Sequence, residues 1–335
     1  GYYPWIIIFD CHDAPYLVSF LHESDTQKLK QILETPSVTA PHLTDAHLAS
    51  AHFRLVTPLT QDTPTSTYQK AVDAILNHIR QGDCYQVNLA QRFSGTFEGN
   101  AAIAYQKLIT RSQAPFSVFF RWAYQNRQQC LLSVSPERFL ATDAHCIATF
   151  PIKGTSKRHL GNEVKDKNQA ETLIHSEKNR AENLMIVDLM RNDLSQVADH
   201  IEVPVLFGLK TFQSVFHLES IVTGTYRASY NAVDALCACF PAGSITGAPK
   251  KMAMALIEQY EWHQRTLYCG TFIHLDVQGH LNSNILIRSL LADDHQLYLW
   301  SGGGIVADSN VQQEYQETLD KIHLMTETLT ELGEV

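Results

Sequence analysis

The sequence predicts an α+β protein with largely antiparallel β-sheets. Strand-like segments come in consecutive runs, and helical segments fall between those runs instead of alternating with single strands. No Gly/Ser linker, internal repeat or low-complexity stretch divides the 335 residues, so a single domain over 1–335 is expected. The composition, 44% hydrophobic and 18% charged, is that of an ordinary globular chain.

The spacing of apolar residues predicts the elements of the first half of the chain. Runs at 4–9 and 15–20 predict a hairpin, and helical spacing predicts helices near 25–34 and at about 66–80. The stretch 35–51, rich in Pro, Thr and His, is expected to be a surface connection. Alternation of the kind seen in "CYQVNLAQRFSGTF" predicts strands near 84–97, 115–121, 129–134 and 144–151.

The second half of the chain carries longer helices between groups of strands. Helical spacing predicts helices at about 163–176, 178–193, 231–239, 249–260 and 310–331. Strand patterns lie at about 200–223, 269–275, 281–291 and 296–301. Consecutive strands of this kind favour antiparallel pairing over a doubly wound parallel sheet.

Charge and cysteine content exclude several classes of protein. The net charge of −9 and the absence of a basic run argue against a nucleic-acid partner. Seven cysteines without a CxxC pair predict a reduced protein of the cytoplasm, and no apolar run is long enough to suggest a membrane span. The opening "GYYPWIIIFDCH" resembles a strand and not a signal peptide, so an N-terminal portion of the full protein is expected to be absent.

A lysine stands at the predicted end of a strand in "ATFPIKGTSKR". Ala148 to Ile152 are mostly apolar, Pro151 ends the strand, and Gly154 begins a turn. Lys153 then either points into solvent beyond the strand or lies partly buried, where loss of water favours its neutral form. The local sequence leaves both possibilities open.

Carboxylates on two predicted helices are candidate metal ligands. Glu182 lies on the apolar face of its helix, where it needs a cation as partner unless it is half-solvated at the helix start. Glu314, Glu317 and Lys321 form a line beside the apolar face of the last helix. Glu317 and Lys321 have the spacing of an ordinary helix ion pair, whereas Glu314 and Glu317 together could ligate a hard cation such as Mg²⁺.

Two glycine-rich segments and two isolated polar residues are further candidates. In "AGSITGAPKK", Pro249 suits a first helical turn, so amides and the Thr246 hydroxyl could face an anion. In "WSGGGIVADS", Gly302–Gly304 follow the predicted strand and allow close approach of a ligand. Arg288 in "ILIRSLL" and His217 in "QSVFHLES" lie within apolar runs, although an arginine at a strand edge is common. Neither glycine segment fits a phosphate loop or dinucleotide fingerprint.

Seven motifs together resemble the chorismate-utilising enzymes. They are, in order, "SVSPERF", "PIKGTSKR", "RAENLMIVDLMRNDL", "FPAGSITGAPK", "CGTF", "SGGGIVADS" and "EYQETLDK". The similarity spans about 68–321, and the catalytic core is expected over about 68–325. Within the family, "PIKGT" is most similar to the aminodeoxychorismate synthase component I group, because anthranilate synthases usually have a small residue in place of Lys153.

The resemblance implies both a fold and a reaction. Members have two packed, largely antiparallel sheets flanked by helices, with the active site between the sheets. The expected reaction joins chorismate and ammonia into 4-amino-4-deoxychorismate, on the route to p-aminobenzoate and folate. It implies Mg²⁺ as cofactor and a separate glutamine amidotransferase subunit as the source of ammonia.

The resemblance also implies roles for individual residues. Lys153 would attack C2 of chorismate or act as a general base, Glu137 of "SPERF" would be the general acid, and His217 would lie near the leaving group. The expected Mg²⁺ ligands are Glu182, Glu314 and Glu317. The expected substrate contacts are Thr246, Tyr268, Arg288, Gly302, Gly303 and Lys321.

Two alternatives and one departure accompany this interpretation. The chain could instead catalyse a sibling reaction, as anthranilate synthase component I or as an isochorismate or salicylate synthase, or could bind chorismate without converting it. Lys153 argues against anthranilate formation, and the complete set of candidate residues argues against a non-catalytic relative. Asn179 stands where related enzymes can carry a further acidic residue one turn before Glu182.

Overall fold

The computed structural model describes residues 5–8, 16–19, 23, 24, 27 and 52–333, apart from 144, 213 and 214. The chain divides into two compact units, 1–51 and 52–335. In the first unit, β1 (Trp5–Ile8) and β2 (Tyr16–Ser19) pair antiparallel, as the predicted hairpin requires. The helix predicted near 25–34 and the connection over 35–51 fall almost wholly outside the described residues. A single domain over 1–335 stays a prediction.

The helices of the second unit have recognisable caps. The described helices are α1 (Thr65–Gln81), α2 (Ala101–Ser112), α3 (Glu163–Ile174), α4 (Glu177–Leu194), α5 (Ala232–Cys239), α6 (Lys250–Tyr260) and α7 (Val311–Glu331). The Ser176 hydroxyl caps α4, and the Asn310 side chain caps α7 by accepting two amide hydrogen bonds. No helix in the part of the chain that the structure describes is long and apolar enough to cross a membrane.

In the described part of the second unit, fourteen strands form two sheets. The strands are β3 (Phe53–Gln61), β4 (Gln86–Gly99), β5 (Phe116–Tyr124), β6 (Arg127–Ser135), β7 (Arg138–Thr142), β8 (Cys146–Thr149), β9 (Ile152–Lys157), β10 (Ala198–Thr211), β11 (Val215–Tyr226), β12 (Gly247–Ala248), β13 (Ile273–Leu275), β14 (Leu281–Asn284), β15 (Ser289–Asp293) and β16 (Gln296–Ile305). The first sheet has the order β12-β4-β16-β15-β6-β5, with β3 also on β4; the second has β10-β11-β8-β7-β14-β13, with β9 also on β11. Each pairing is antiparallel, so the predicted α+β fold is confirmed.

The main core lies between the two sheets. Phe139 on β7 and Ile147 on β8 belong to the same buried cluster as Trp300 on β16 and Ile186 on α4. Helix α7 covers the other face of the first sheet, where it shares a second cluster with β15 and β16. Each large apolar side chain so buried contributes about 1.5–3 kcal/mol. The site residues therefore sit between well-packed layers.

The segment 281–291, predicted as one strand, is two strands in different sheets. Strand β14 belongs to the second sheet and β15 to the first, and the residues between them cross from one sheet to the other. Arg288 lies in this crossover with φ +49°, a left-handed conformation, and not within a strand. The apolar run continues through the crossover because it passes through the core, so hydrophobicity alone does not reveal the break.

The segment that carries Lys153 also differs from its prediction. Pro151 separates β8 from β9, but the chain continues in β9, where Lys153 is the second residue. Strand β9 pairs with β11 through a register shift between His217 and Glu219. Gly154 has φ +89°, so Lys153 lies at an irregular point of a strand and not at a join between strand and loop.

A side-chain brace, formed by Arg265 and Glu261, lies along the edge of β4 between the segments that pair with β12 and with β3. Arg265 donates hydrogen bonds to the carbonyl oxygens of Asn88 at 2.6 Å and Ile245 at 2.7 Å, and it is ion-paired with Glu261 at 2.6 Å. Glu261 Oε1 accepts a hydrogen bond from the Ala90 amide at 2.7 Å. These side chains satisfy main-chain groups that no strand reaches, as buried backbone requires.

Candidate active site

Lys153 is placed by the packing of α4 against β9. A Cβ at Gly154 would lie 3.1 Å from two side-chain carbon atoms of Asn179, so the first turn of α4 requires glycine at that position. This close approach brings the Glu182 end of α4 to the strand that carries the lysine. On the opposite side, a Cβ at Gly304 would stand 3.4 Å from Lys153 Nζ.

The ammonium of Lys153 lacks, in the described structure, the direct partners that usually offset the cost of removing a charge from water. Within the described residues, Nζ has no hydrogen-bond or ion-pair partner. Burial lowers its pKa, and Lys321 lowers it further, while the charges of Glu182, Glu137 and Glu317 raise it without reversing the direction. A neutral amine is therefore more accessible here than at a surface lysine, as a nucleophile or general base requires.

Glu137 lies just before β7 and is buried beside the lysine. Burial raises the pKa of its carboxyl to about 7, against a hydrogen bond from Ser244, the Lys153 charge and the Ile152 amide, each of which lowers it. Ser244 Oγ donates to Glu137 Oε1 at 2.8 Å. A large fraction of Glu137 is thus protonated near neutral pH, which suits a general acid.

His217 on β11 is buried and held from both sides of its ring. Its Nδ1 lies 2.8 Å from Thr155 Oγ1, and Phe212 packs edge-on against it at 5.3 Å. Burial and the nearby Arg288 charge lower its pKa to about 4. The imidazole is therefore neutral at physiological pH and can offer a hydrogen bond, but no charge.

Two acidic residues of α7, Glu314 and Glu317, approach the glycine at position 303 of β16. A Cβ at Gly303 would lie 3.1 Å from Glu314 Oε2 and 3.7 Å from Glu317 Oε1. Glu314 is buried, and burial together with the Glu317 charge raises its pKa, although Ser309 donates a 2.6 Å hydrogen bond to Oε1. Two carboxylates held this close are a suitable oxygen donor pair for a hard cation.

The predicted third ligand, Glu182, is not assembled with this pair. Its nearest ion-pair partner is Lys178, with Nζ 4.0 Å from Oε1. Among the described residues, no three His, Cys, Asp or Glu side chains are close enough together to hold a metal ion. Lys178 and Lys321 lower the pKa of Glu314, so the positive charges of these two lysines offset the negative charge of the carboxylates without a metal ion. The donor chemistry fits Mg²⁺, and Glu182 would have to approach the α7 pair to join it.

The predicted substrate contacts occupy three different environments. Lys321 Nζ is 2.6 Å from Glu317 Oε1 and donates to the Gly302 carbonyl at 3.0 Å, beside the glycines of β16. Arg288 is partly buried near Glu137, whose charge raises its pKa, while removal from water lowers the pKa overall. Thr246 and Tyr268 are held by structural contacts: the Thr246 hydroxyl donates to the Ala242 carbonyl at 2.8 Å, and the Tyr268 ring stacks on Trp300 at 6.4 Å.

The glycine run is part of a strand and not a turn after one. Strand β16 continues to Ile305, and Gly302, Gly303 and Gly304 pair with Ala90, Leu89 and Asn88 of β4. Successive positions face opposite sides of the sheet, so Gly303 faces α7 while Gly304 faces Lys153. The strand predicted to end at about 301 therefore includes all three glycines, and close approach of other groups from both faces requires them.

Two residues of the site were not singled out from the sequence. Ser244 lies within a quoted motif, but only its contact with Glu137 reveals its importance. Gln86 is fully buried, neither polar atom of its amide has a hydrogen-bond partner in the described structure, and Nε2 lies 3.0 Å from a Cβ position at Gly304. Its signal was a polar residue at the start of an otherwise buried strand. An unpartnered buried amide beside Lys153 is free to bind a ligand.

Comparisons with known proteins identify the family of the chain. The family model of the chorismate binding enzymes matches residues 1–327. Aminodeoxychorismate synthase component 1 of Escherichia coli is 40% identical over 331 residues, which cover 98% of this chain and 70% of that relative. Anthranilate synthase component 1 of Aquifex aeolicus is 37% identical over 256 residues, covering 76% of this chain and 51% of that relative. The crystal structure of anthranilate synthase component I from Streptococcus pneumoniae superposes with a TM-score of 0.81 at 29% identity, covering 96% of this chain and 71% of that one. The chain belongs to the chorismate binding enzymes.

Proposed function

We propose that the chain is the chorismate-converting component of an aminodeoxychorismate synthase. The observation that carries the proposal is the pair formed by Lys153 and Glu137. Lys153 is an amine with a lowered pKa and no partner among the described residues, and Glu137 is a buried carboxyl with a pKa of about 7. The 40% identity to aminodeoxychorismate synthase component 1 supports the same reaction. Chorismate and ammonia would give 4-amino-4-deoxychorismate and water.

The two residues divide the chemistry between them. Glu137 gives its proton to the C4 hydroxyl, which leaves as water while the neutral amine of Lys153 bonds to C2 and the two conjugated ring double bonds shift. Ammonia then bonds to C4, both double bonds shift back, and the bond between C2 and Lys153 breaks. The excess proton of the new amine returns to Glu137. In a second version Lys153 accepts that proton as a general base and forms no bond to the ring.

The remaining residues serve substrate binding. Lys321 offers an ammonium to a carboxylate of chorismate, and Arg288 offers a second cation near Glu137. The neutral imidazole of His217 donates a hydrogen bond on the side of the leaving group. Mg²⁺ held by Glu314, Glu317 and Glu182 would offset the charge of a substrate carboxylate in an acidic protein.

The partner and the cellular location follow from the same proposal. Relatives are named component 1, which supports a second subunit. We propose a glutamine amidotransferase in that role, with ammonia passing to Lys153 and Glu137. The net charge of −9 and the cysteine pattern support a cytoplasmic protein with no nucleic-acid or membrane partner.

Product analysis tests the proposal against its alternatives. The purified chain is incubated with chorismate, Mg²⁺ and ammonium at mildly alkaline pH, and the products are separated. A product that a separate lyase converts to p-aminobenzoate is expected. Anthranilate would assign the reaction named for the Aquifex aeolicus relative, and isochorismate or salicylate would assign water addition. Protection of the chain by chorismate and Mg²⁺ without any product would indicate a binding protein.

A further inference from the structure

The general acid is contacted by a loop distant from it in sequence. The Ser244 loop, residues 240–249, joins α5 to α6 and contains a 3-10 turn at Gly243–Ile245. Ser244 Oγ reaches Glu137 Oε1 at 2.8 Å, across 107 residues of chain. The contact joins Ser244 and Glu137 directly and involves neither Lys153 nor the carboxylates of α7.

The Ser244 loop is fixed at both ends and in its middle. Lys250 Nζ, at its end, binds Asp193 Oδ2 at 2.6 Å and the Cys239 carbonyl at 3.1 Å. In its middle, the Ile245 carbonyl accepts hydrogen bonds from Arg265 at 2.7 Å and from the Asn88 side chain at 3.0 Å. Ser244 is therefore presented by a rigid segment, and its hydroxyl has a defined position.

The backbone of Glu137 is equally fixed. Its carbonyl accepts a hydrogen bond from the Ile285 amide at 3.1 Å, and its amide donates to Ser135 Oγ at 3.2 Å. The charged groups that face its carboxyl are Lys153 on β9, Lys321 on α7 and Arg288 in the crossover. The Ile152 amide also hydrogen-bonds to this carboxyl. With the backbone held, the Ser244 hydroxyl fixes Oε1 as an acceptor and so distinguishes it from Oε2.

We propose that Ser244 is a positioning residue that keeps Oε1 of Glu137 as an acceptor and so makes Oε2 the oxygen that carries the transferred proton. A hydroxyl that donates to Oε1 is compatible with a proton on Oε2, whereas a proton on Oε1 would point at Ser244 and away from a substrate. The same hydrogen bond stabilises the carboxylate left after transfer. This inference rests on the proposed function, in which Glu137 is the acid.

The test compares Ser244→Ala, Ser244→Cys and Ser244→Thr with the unaltered chain. Cysteine keeps the shape with a weaker donor if alanine impairs folding, and threonine restores the hydroxyl. Ser195→Ala, which removes an exposed hydroxyl at the end of α4, is the matched control. Turnover is measured against pH, and protonation of Glu137 is followed separately through the infrared band of the protonated carboxyl, assigned with Glu137→Gln.

Loss of the donor is expected to lower kcat about 10-fold with KM little changed. The infrared midpoint and the alkaline limb of kcat should both rise by about 1 pH unit, because a hydrogen bond to the carboxylate is lost. Ser244→Thr should restore both. An unchanged infrared midpoint in Ser244→Ala or Ser244→Cys, or a loss of kcat that threonine fails to restore, overturns the inference. Absence of product from the unaltered chain would instead overturn the proposed function, and the infrared titration would still decide the role of Ser244.

Discussion

Lys153 differs from a surface lysine in three respects that act together. It occupies an irregular point of β9, its Nζ lacks a partner in the described structure, and burial lowers its pKa. Its sequence neighbours indicated only that a lysine stood near a strand end. Its environment depends on residues far along the chain, such as Glu182, Lys321 and Gly304, so local sequence could not decide between solvent and pocket.

Replacing Lys153 by alanine should abolish chemistry while preserving binding. Turnover in Lys153→Ala is expected to fall by about 10²–10⁴ or more, the range for loss of a proton-transfer group or nucleophile. Chorismate binding in the presence of Mg²⁺, measured by calorimetry, should largely survive. Lys157→Ala, at the exposed end of the same strand, is the matched control. Unchanged turnover in Lys153→Ala would remove Lys153 from the mechanism.

Glu137 should make stability fall as pH rises. Its folded pKa of about 7 lies above the ordinary value of 4.5, so between these pH values the folded state holds a proton that the unfolded state has released. The stabilising effect is complete below pH 4.5 and is lost as pH rises through about 7. Between pH 4.5 and 7.5, Glu137→Gln should gain on the order of 3 kcal/mol in free energy of unfolding relative to the unaltered chain.

Denaturant unfolding at a series of pH values measures that difference. Glu258→Gln, on the exposed side of α6, removes a surface carboxylate and serves as control. A constant difference between Glu137→Gln and the unaltered chain across this range would contradict the raised pKa.

At the scale of elements, neighbouring glycines of β16 make room for different groups: Gly302 for the main chain of β4, and Gly303 for side chains of the site. A Cβ at Gly302 would lie 2.7 Å from the Leu89 carbonyl oxygen, which is backbone and cannot move cheaply. A Cβ at Gly303 would instead meet the flexible ends of Glu314 and Glu317. One strand therefore contains a position required for folding next to one required for the site.

Alanine at these two positions should give different defects. Gly303→Ala should fold with a Tm close to that of the unaltered chain, but should lose most of the rise in Tm that Mg²⁺ and chorismate produce. Gly302→Ala should unfold at clearly lower temperature, since the added methyl group displaces backbone of β4. Thermal unfolding with and without both ligands checks the pair. A normal ligand-induced rise in Gly303→Ala would show that the carboxylates do not need this space.

Helices were easier to predict from sequence than strands. The periodicity of α1, α4, α6 and α7 predicted them within a few residues, whereas α2 was missed although Asn100 caps it and Ala101, Ala104 and Leu108 are buried at helical spacing. Strand β3 was missed as well. The run at 144–151 predicted one strand, which is present as β8, whereas the run at 281–291 predicted one strand and contains two, because apolar character shows that a residue is buried but not which sheet it joins. The order of strands within a sheet depends on long-range pairing that no local pattern contains.

The candidate site, like the fold, could be predicted from the sequence only in part. Lys153, Glu137 and the α7 carboxylates were predicted because their motifs resemble those of a known family. Ser244 and Gln86 required the structure, since their roles depend on contacts with residues 107 positions away and 218 positions away, respectively.

At the scale of the whole second unit, a buried ion pair joins the two layers. Helix α4 packs on β9, β10 and β11 of the second sheet, while α6 packs on β4 and β12 of the first. Lys250 at the start of α6 binds Asp193 near the end of α4, and both side chains are largely buried, with 17% and 5% exposed. Breaking one partner would leave a buried charge without compensation.

Lys250→Met should destabilise the protein in a pH-dependent way. At pH 8 the loss is expected to be about 3–5 kcal/mol, the range for an orphaned buried charge. Burial already raises the pKa of Asp193, and Lys250 opposes that shift, so the variant raises the pKa further. Protonation of Asp193 then relieves the cost as pH falls, and the loss at pH 5 should be smaller. Denaturant unfolding at both pH values measures the loss, with exposed Lys251→Met as control. A loss at pH 5 as large as or larger than that at pH 8 would contradict the prediction.

The brace on β4 also marks a single amide as a reporter of local opening. The Ala90 N–H is hydrogen-bonded to the Glu261 carboxylate and not to a neighbouring strand. Hydrogen exchange at Ala90 therefore follows release of one side chain, whereas exchange of ladder amides in β4 follows separation of whole strands. Comparing the exchange rate of Ala90 with those rates, with and without ligand, would measure how tightly the Glu261 carboxylate and its partner Arg265 are held during binding.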